Sequence, residues 1–194
     1  MSLILASTSA IRRQMLDNAG IKYEAAAPSF DEERVKGGFP GTDDQLAGAL
    51  AAGKALSVSA LRPDDWVIGS DSLASVDGDR FDKPLGRDQA AQHLRAFSGR
   101  EMILTSAVTL ARDGAVVWHH AESSNLSVRT LSEAFIQSYL EAEWPEVGYC
   151  VGVFRLEGRG VQLFDRIEGD HFTILGMPLL PLLDALRERG LIQA

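Results

Sequence analysis

Apolar positions along the chain recur with two periods, one of two residues and one near 3.6, and the switches between them delimit the elements. Leu3-Ile4-Leu5 is a short apolar run with the character of a buried strand. It stops at Ala6-Ser7-Thr8-Ser9, and a helical pattern opens at Ala10 with Ile11, Met15, Leu16 and Ala19 on the apolar positions. Ser9 is placed to cap that helix and Gly20 to end it. Ile21 to Ala25 alternates as a half-buried strand ended by Pro28, and a glycine-rich loop follows at 37–41. Thr42-x-x-Gln45 has the form of a capping box, predicting a helix from Asp43 to Ser59 with Leu46, Ala47, Leu50, Ala51 and Ala55 as its stripe. Trp66 to Gly69 is a strongly apolar strand ending in Ser70-Asp71-Ser72, and Leu73 to Val76 continues extended. Asp77-Gly78 signals a hairpin returning through Arg80 to Pro84.

In the second half, Asp88 is expected to cap a helix from Gln89 to Phe97. Glu101 to Ala111 and Val116 to Val128 read as long antiparallel strands joined by an Asp113-Gly114 turn. Thr130-x-x-Glu133 resembles a second capping box, opening a helix through Leu140 that Trp144-Pro145 ends. Tyr149 to Gly160 is unusually rich in glycine, which suits sharp backbone bends. Val161 to Ile167 alternates as a strand, Glu168-Gly169-Asp170 is a turn, and Leu179 to Arg189 is a closing amphipathic helix. Neither an internal repeat nor a linker interrupts the chain, so one α/β domain over residues 1–194 is expected, a mixed twisted sheet with flanking helices.

Composition narrows the classes of function. With 194 residues, 45% hydrophobic and 24% charged, the chain reads as an ordinary globular protein. A formal net charge of −8, with no basic stripe to offset it, argues against a nucleic-acid partner. Cys150 is the single cysteine, so there is no intramolecular disulfide, and a reducing cytoplasm is the expected compartment. The first residues enter a strand directly, without the charged and apolar regions of a signal peptide, and no apolar run approaches membrane-spanning length.

The candidate chemistry lies where placement is odd. Arg12 and Arg13 stand in the first turn of a helix, where the backbone already favours anions. They either hold an anion or point into water, and the local pattern leaves the two readings even. The acids Asp31, Glu32 and Glu33 are either a solvated loop or hard oxygen ligands of the kind Mg²⁺ takes. Lys54 falls seven residues after Ala47, beside the buried face of its helix, so it either snorkels outward or reaches into a site. Asp71 closes an apolar strand, a common active-site placement in α/β folds, with a loop cap as the plain alternative. Lys83 precedes a proline and is held extended, and the hairpin would bring it back toward Asp71. His119 and His120 are adjacent in a strand and face opposite ways, so they do not share a metal easily. The chain has no P-loop, no nucleophile elbow and no zinc-ligand spacing. Cations with metal-capable carboxylates suit a polyphosphate substrate, where catalysis is mostly positioning and charge stabilisation.

The segments LASTSAIRRQML, FDEE, A-x-x-K-A at 51–55, GSDS at 69–72, DKPL at 82–85, FSGR at 97–100, EGRG at 157–160, IEGD and GMPL stand in one order over nearly the whole chain. Singly they are weak and together specific, and in them the chain resembles the Maf family of nucleoside triphosphate pyrophosphatases. The resemblance implies a fold related to inosine triphosphatases, two-lobed with a central cleft. It also implies hydrolysis of a nucleoside triphosphate to the monophosphate and pyrophosphate, a divalent cation (Mg²⁺ or Mn²⁺), and a homodimer. By position, Asp71 matches the proton acceptor, Glu32 a metal ligand assisted by Asp71, and Ser9, Arg12, Arg13, Lys54 and Lys83 the phosphate cradle. The family's usual proline after Ser9 is Ala10 here. Glu157 resembles the branch acting on 7-methyl-GTP, a house-cleaning activity; the dTTP/UTP branch usually has glutamine there, arginine near Ile11 and threonine near Ser72. Ile11 and Ser72 match neither branch, so Ile11, Ser72 and Glu157 are the positions expected to set the base. Other readings are a dTTP/UTP-preferring enzyme and a nucleotide-binding regulator of septum formation without turnover.

Overall fold

The computed structural model describes residues 1–193. The elements run β1 (Leu3–Ala6), α1 (Ala10–Asn18), β2 (Glu24–Ala26), α2 (Glu32–Lys36), α3 (Asp43–Ser59), β3 (Trp66–Val76), β4 (Asp79–Phe81), α4 (Arg87–Phe97), β5 (Glu101–Arg112), β6 (Ala115–Val128), α5 (Glu133–Glu143), β7 (Phe164–Glu168), α6 (His171–Leu175) and α7 (Leu179–Glu188). The sheet is mixed, with strand order β2-β1-β3-β5-β6-β7 and β4 on β3. β1 pairs in parallel with β2 and β3, while β3–β4 and β6–β7 are antiparallel. The sequence-expected mixed α/β sheet with helices is therefore present.

Two compact units divide the chain. One is built from Met1–Ser72, Thr105–Glu122 and Asp170 onward; the other comprises Leu73–Leu104 and Ser123–Gly169. In the first unit, alternation along the strands sorts the core into two faces. Leu5, Ile68, Val108 and Leu110 bury against Met15 and Leu16 of α1 and Leu179, Leu182 and Leu186 of α7. Ile4, Ala6, Val67 and Ala111 bury against Ala55 and Val58 of α3. In the second unit, α4 and α5 are clamped by Arg95, whose Nε and terminal nitrogen donate to the Glu133 carboxylate at 2.9 and 2.6 Å. Phe81 packs edge-on against both His93 and Phe97.

Local rules account for most boundaries. Thr42 and Gln45 form the reciprocal capping box that opens α3. Asp77-Gly78 and Asp113-Gly114 take positive φ at both positions, as tight hairpins with right-handed strand twist require. Several expectations are corrected. β2 is only Glu24–Ala26, because Ile21 and Tyr23 leave the ladder and pack on the α1–α7 side of the core. Residues after Asp31 form α2 rather than a loop, with Asp31 accepting the Arg34 N–H at 3.2 Å. α4 starts at Arg87, ahead of Asp88, and its N-cap Gly86 makes no side-chain bond. Ser132, not Thr130, caps α5. Residues 159–163 form a 3₁₀ turn, so β7 begins only at Phe164. The short helix α6 was not expected at all.

Gly69 of β3 lies directly against the backbone of α3. A Cβ there would run into the carbonyl oxygen of Ala51 and lie 2.7 Å from the amide of Ala55, both backbone atoms of α3. Only glycine lets this helix seat so closely on β3, and the contact brackets Lys54. Gly69→Ala is expected to lose about 2 kcal/mol of stability by overpacking, or roughly 4–8 °C in Tm. An unchanged melting curve would show that α3 accommodates the methyl group.

Candidate active site

The tight seating of α3 on β3 delivers its consequence two residues further on. Gly69 and Asp71 share one face of β3, the face α3 covers, so Lys54 and Asp71 meet. Lys54 is 8% exposed and Asp71 is 7% exposed. The Lys54 ammonium donates to Asp71 Oδ1 and also pairs with Glu32 Oε1 at 3.0 Å. Glu32 comes from the first turn of α2, and its side chain is about two-fifths exposed, 38%. One buried cation thus joins a buried and a more open carboxylate. Lys54 reaches inward and does not snorkel. Asp71 lies within an unbroken 11-residue strand, not at a strand end.

Ser70 and Ser72 occupy the opposite face of β3 and point at the C-terminal end of α6. The Gly176 carbonyl accepts from Arg12 Nε–H at 2.9 Å and from Ser70 Oγ at 3.0 Å, and Ser72 Oγ lies 3.2 Å from it. A terminal N–H of Arg12 donates to Ser72 Oγ at 3.1 Å. Ser72 and Ser106 hydroxyls are 2.8 Å apart, and Ser106 donates to the Thr173 carbonyl at 2.8 Å. Thr173 in turn donates its hydroxyl to Glu122, and Asp170 caps α6 through the Phe172 and Thr173 amides. Burial lowers the Arg12 pKa, and the negative charges of Asp71 and Glu32 act against that. The guanidinium is therefore electrostatically coupled to the carboxylate pair.

The loop before α1 is self-braced. Buried Ser7 accepts the Ser9 amide at 3.1 Å, and Ser9 Oγ caps the helix by accepting the Arg12 amide at 3.5 Å. Arg13 is exposed and donates to the Ser7 carbonyl at 3.4 Å, and Ile11 is half-buried. Ser9, Arg12, Lys54, Asp71, Ser72 and Glu32 all belong to the first unit.

Lys83 and Glu157 belong to the second. The β3–β4 ladder ends at Ala74–Phe81, two residues short of Lys83. Both side chains are exposed and both act electrostatically on Cys150. Burial, then Glu157, pushes that thiol up to about 11, with Lys83 and Arg155 opposing. Cys150 is thus held as a neutral thiol at ordinary pH, not a nucleophile. The stretch before Glu157 is bent by a valine rather than a glycine. Val153 takes φ 55°, a strained conformation for a β-branched residue, while its carbonyl accepts from Tyr139 at 3.0 Å. Glycines 148, 152, 158 and 160 are not at positive φ; at Gly152 and Gly160 a side chain would collide with Phe154 or the Arg155 backbone. Arg155 pairs with buried Glu143 at 3.2 Å just before Glu157.

Sequence reasoning passed over Ser70, Ser106, Thr173 and Gly176. For Ser70, Ser106 and Thr173 the signal was a hydroxyl in a run otherwise apolar enough to be fully buried, where each needs a partner; Gly176 acts through its backbone and carries no such signal.

Among the described residues, no group of three or more His, Cys, Asp and Glu side chains is arranged to hold a metal ion, and no helix is long and apolar enough to cross a membrane. A family model described as Maf-like protein matches residues 2–189. A 7-methyl-GTP pyrophosphatase of Rhizobium etli is 48% identical over 194 residues, 98% of this chain and 97% of its own. A nucleoside triphosphate pyrophosphatase of Nitrobacter hamburgensis is 46% identical over 191 residues, 98% of this chain and 95% of its own. Among solved structures, the Staphylococcus aureus Ham1 protein matches with 10% identity and a TM-score of 0.47, over 98% of this chain and 100% of its own.

Proposed function

The chain belongs to the Maf family, and on that footing we propose that it hydrolyses a guanine-type nucleoside triphosphate, 7-methyl-GTP foremost, to the monophosphate and pyrophosphate. It is a nucleoside triphosphate pyrophosphatase, a hydrolase of acid anhydrides. The observation that carries this reading is the Lys54-bridged pair of Asp71 and Glu32, electrostatically coupled to Arg12.

The residues divide the work by charge. Asp71 accepts a proton from the attacking water as its oxygen bonds to phosphorus and the anhydride oxygen leaves with pyrophosphate. Arg12, Arg13, Lys54, Lys83 and the N-terminal amides of α1 behind Ser9 take the phosphate oxygens, whose negative charge they match. Glu157 reads the base.

Two carboxylates converging on one cationic point are a donor set that Mg²⁺ or Mn²⁺ accepts, with substrate phosphates completing the shell. Glu32 and Asp71 would hold such an ion, which when bound neutralises phosphate charge. Lys54 engages the same two carboxylates in the free protein. Lys54→Met is therefore expected to tighten Mn²⁺ binding to the nucleotide-free protein several-fold, while turnover falls through the lost phosphate contact. Mn²⁺ titration by electron paramagnetic resonance measures this directly; weaker binding in the variant would mean that Lys54 organises the carboxylates instead of competing for them.

A pyrophosphate-release screen over ordinary and modified nucleoside triphosphates, with Mg²⁺ or Mn²⁺, tests the whole reading. Selective release from 7-methyl-GTP supports it, preference for dTTP or UTP overturns the base assignment, and nucleotide binding without release overturns the enzyme.

A further inference from the structure

We propose that Ser72, backed by Ser106 and the C-terminal carbonyls of α6, is the positioning residue that aims Arg12 at the triphosphate; this rests on the phosphate-binding reading of Arg12. An arginine side chain has many rotamers and loses affinity for every one it must abandon on binding. Here two of its donors are already committed. The Nε–H is fixed on the Gly176 carbonyl at 2.9 Å and a terminal N–H on Ser72 Oγ at 3.1 Å. Fixing these sets the plane of the guanidinium, and with it the direction of the remaining N–H groups.

The direction of each hydroxyl in this network follows from donor accounting. Ser106 spends its one proton on the Thr173 carbonyl at 2.8 Å. Across the 2.8 Å contact it can then only accept, so Ser72 spends its one proton on Ser106 and not on the Gly176 carbonyl 3.2 Å away. Ser72 is left presenting lone pairs to Arg12. A donor chain runs from Arg12 through Ser72 and Ser106 to the backbone, and its polarity is set by a carbonyl that cannot switch roles. The last carbonyls of a helix keep spare acceptor capacity: that of Thr173 takes the Gly176 amide at 3.0 Å and still accepts from Ser106. Gly176 sits at φ 109°, a conformation suited to glycine, and a Cβ there would come within 3.2 Å of Ser72 Oγ. The geometry thus assigns Ser72 to holding an arginine, whatever it does for base choice.

The test uses inorganic tripolyphosphate with Mg²⁺, a probe without a base, titrated calorimetrically into the full chain. Ser72→Ala is expected to weaken binding about tenfold, the size of a lost hydrogen bond to a charged group. In the Arg12→Ala background the same change is expected to add less than about twofold, because the residue it positions is gone. Ser72→Thr, which keeps the hydroxyl, is expected to restore the affinity. Should Ser72→Ala melt early, Ser106→Ala removes only the support behind Ser72 and carries the same expectation at smaller size. Wild-type affinity in Ser72→Ala, beside weakened Arg12→Ala, overturns the positioning role and leaves Arg12 as a phosphate ligand. A full Ser72 penalty in the Arg12→Ala background also overturns it. Unchanged affinity in Arg12→Ala removes the phosphate reading itself, and the positioning role with it.

Discussion

Asp71→Asn is expected to lower kcat by roughly 10²–10⁴-fold, the usual cost of losing a general base, while the protein still folds and binds nucleotide. The structure explains why folding should survive. Asparagine is nearly isosteric and keeps a carbonyl oxygen for the Lys54 ammonium, and Glu32, at 3.0 Å, still pairs that cation. Removing a partner from a buried ion pair is normally costly because a bare charge is left behind, and here it is not. Circular dichroism and nucleotide titration separate the two effects. Turnover within a few-fold of wild type would take Asp71 out of the chemistry, and Glu32 would then be the carboxylate to examine.

The second large effect is expected at Glu157. A carboxylate accepts hydrogen bonds and cannot donate, so it matches the N1–H and N2–H₂ donors of a guanine edge. Uracil and thymine present a donor between two acceptors, which a glutamine amide matches and a carboxylate does not. Glu157→Gln is therefore expected to shift the ratio of kcat/KM for guanine-type over pyrimidine substrates by roughly ten- to a hundredfold toward dTTP and UTP, the discrimination a bidentate base contact supplies. Methylation at N7 makes guanine cationic and should favour the carboxylate further. Measuring 7-methyl-GTP, GTP, dTTP and UTP in both proteins decides it: an unmoved ranking means that Glu157 does not touch the base.

What could be read in advance was what local chemistry determines. Thr42 and Gln45 cap α3 by contacts three residues apart, and Asp-Gly pairs make their hairpins alone, so both were visible in the chain. Lys54 was visible as a charge on an apolar face, and Asp71 as an acid among apolar neighbours. What escaped depends on partners distant in sequence. Asp71 looked like a strand end because Ser70 and Ser72 resemble a loop, yet the Ser70 hydroxyl is satisfied by Gly176, more than a hundred residues on, and that of Ser72 by Ser106, and the strand continues. Thr130 looked like a cap by spacing, but α5 begins at Glu133, whose carboxylate Arg95 of α4 holds, and Ser132 Oγ accepts the Phe135 amide. Glycine richness near residue 152 suggested sharp backbone bends, whereas close packing by Phe154 and Arg155 is what excludes side chains there.

The span between Arg12 and its anchor has a consequence for how the molecule comes into being. They lie 164 positions apart, and the unit they join is assembled from three separate stretches, the last beginning at Asp170. Chains are made from the N-terminus at about 5–20 residues per second, and long loops close late. Leu3–Ala6 and α1 therefore leave the ribosome many seconds before the carbonyl that orients Arg12 has been synthesised. A nascent or truncated chain ending before Gly176 would carry all the charged residues of the site but not the anchor for their arginine. Competence for triphosphate should thus arrive late in synthesis, with the emergence of α6.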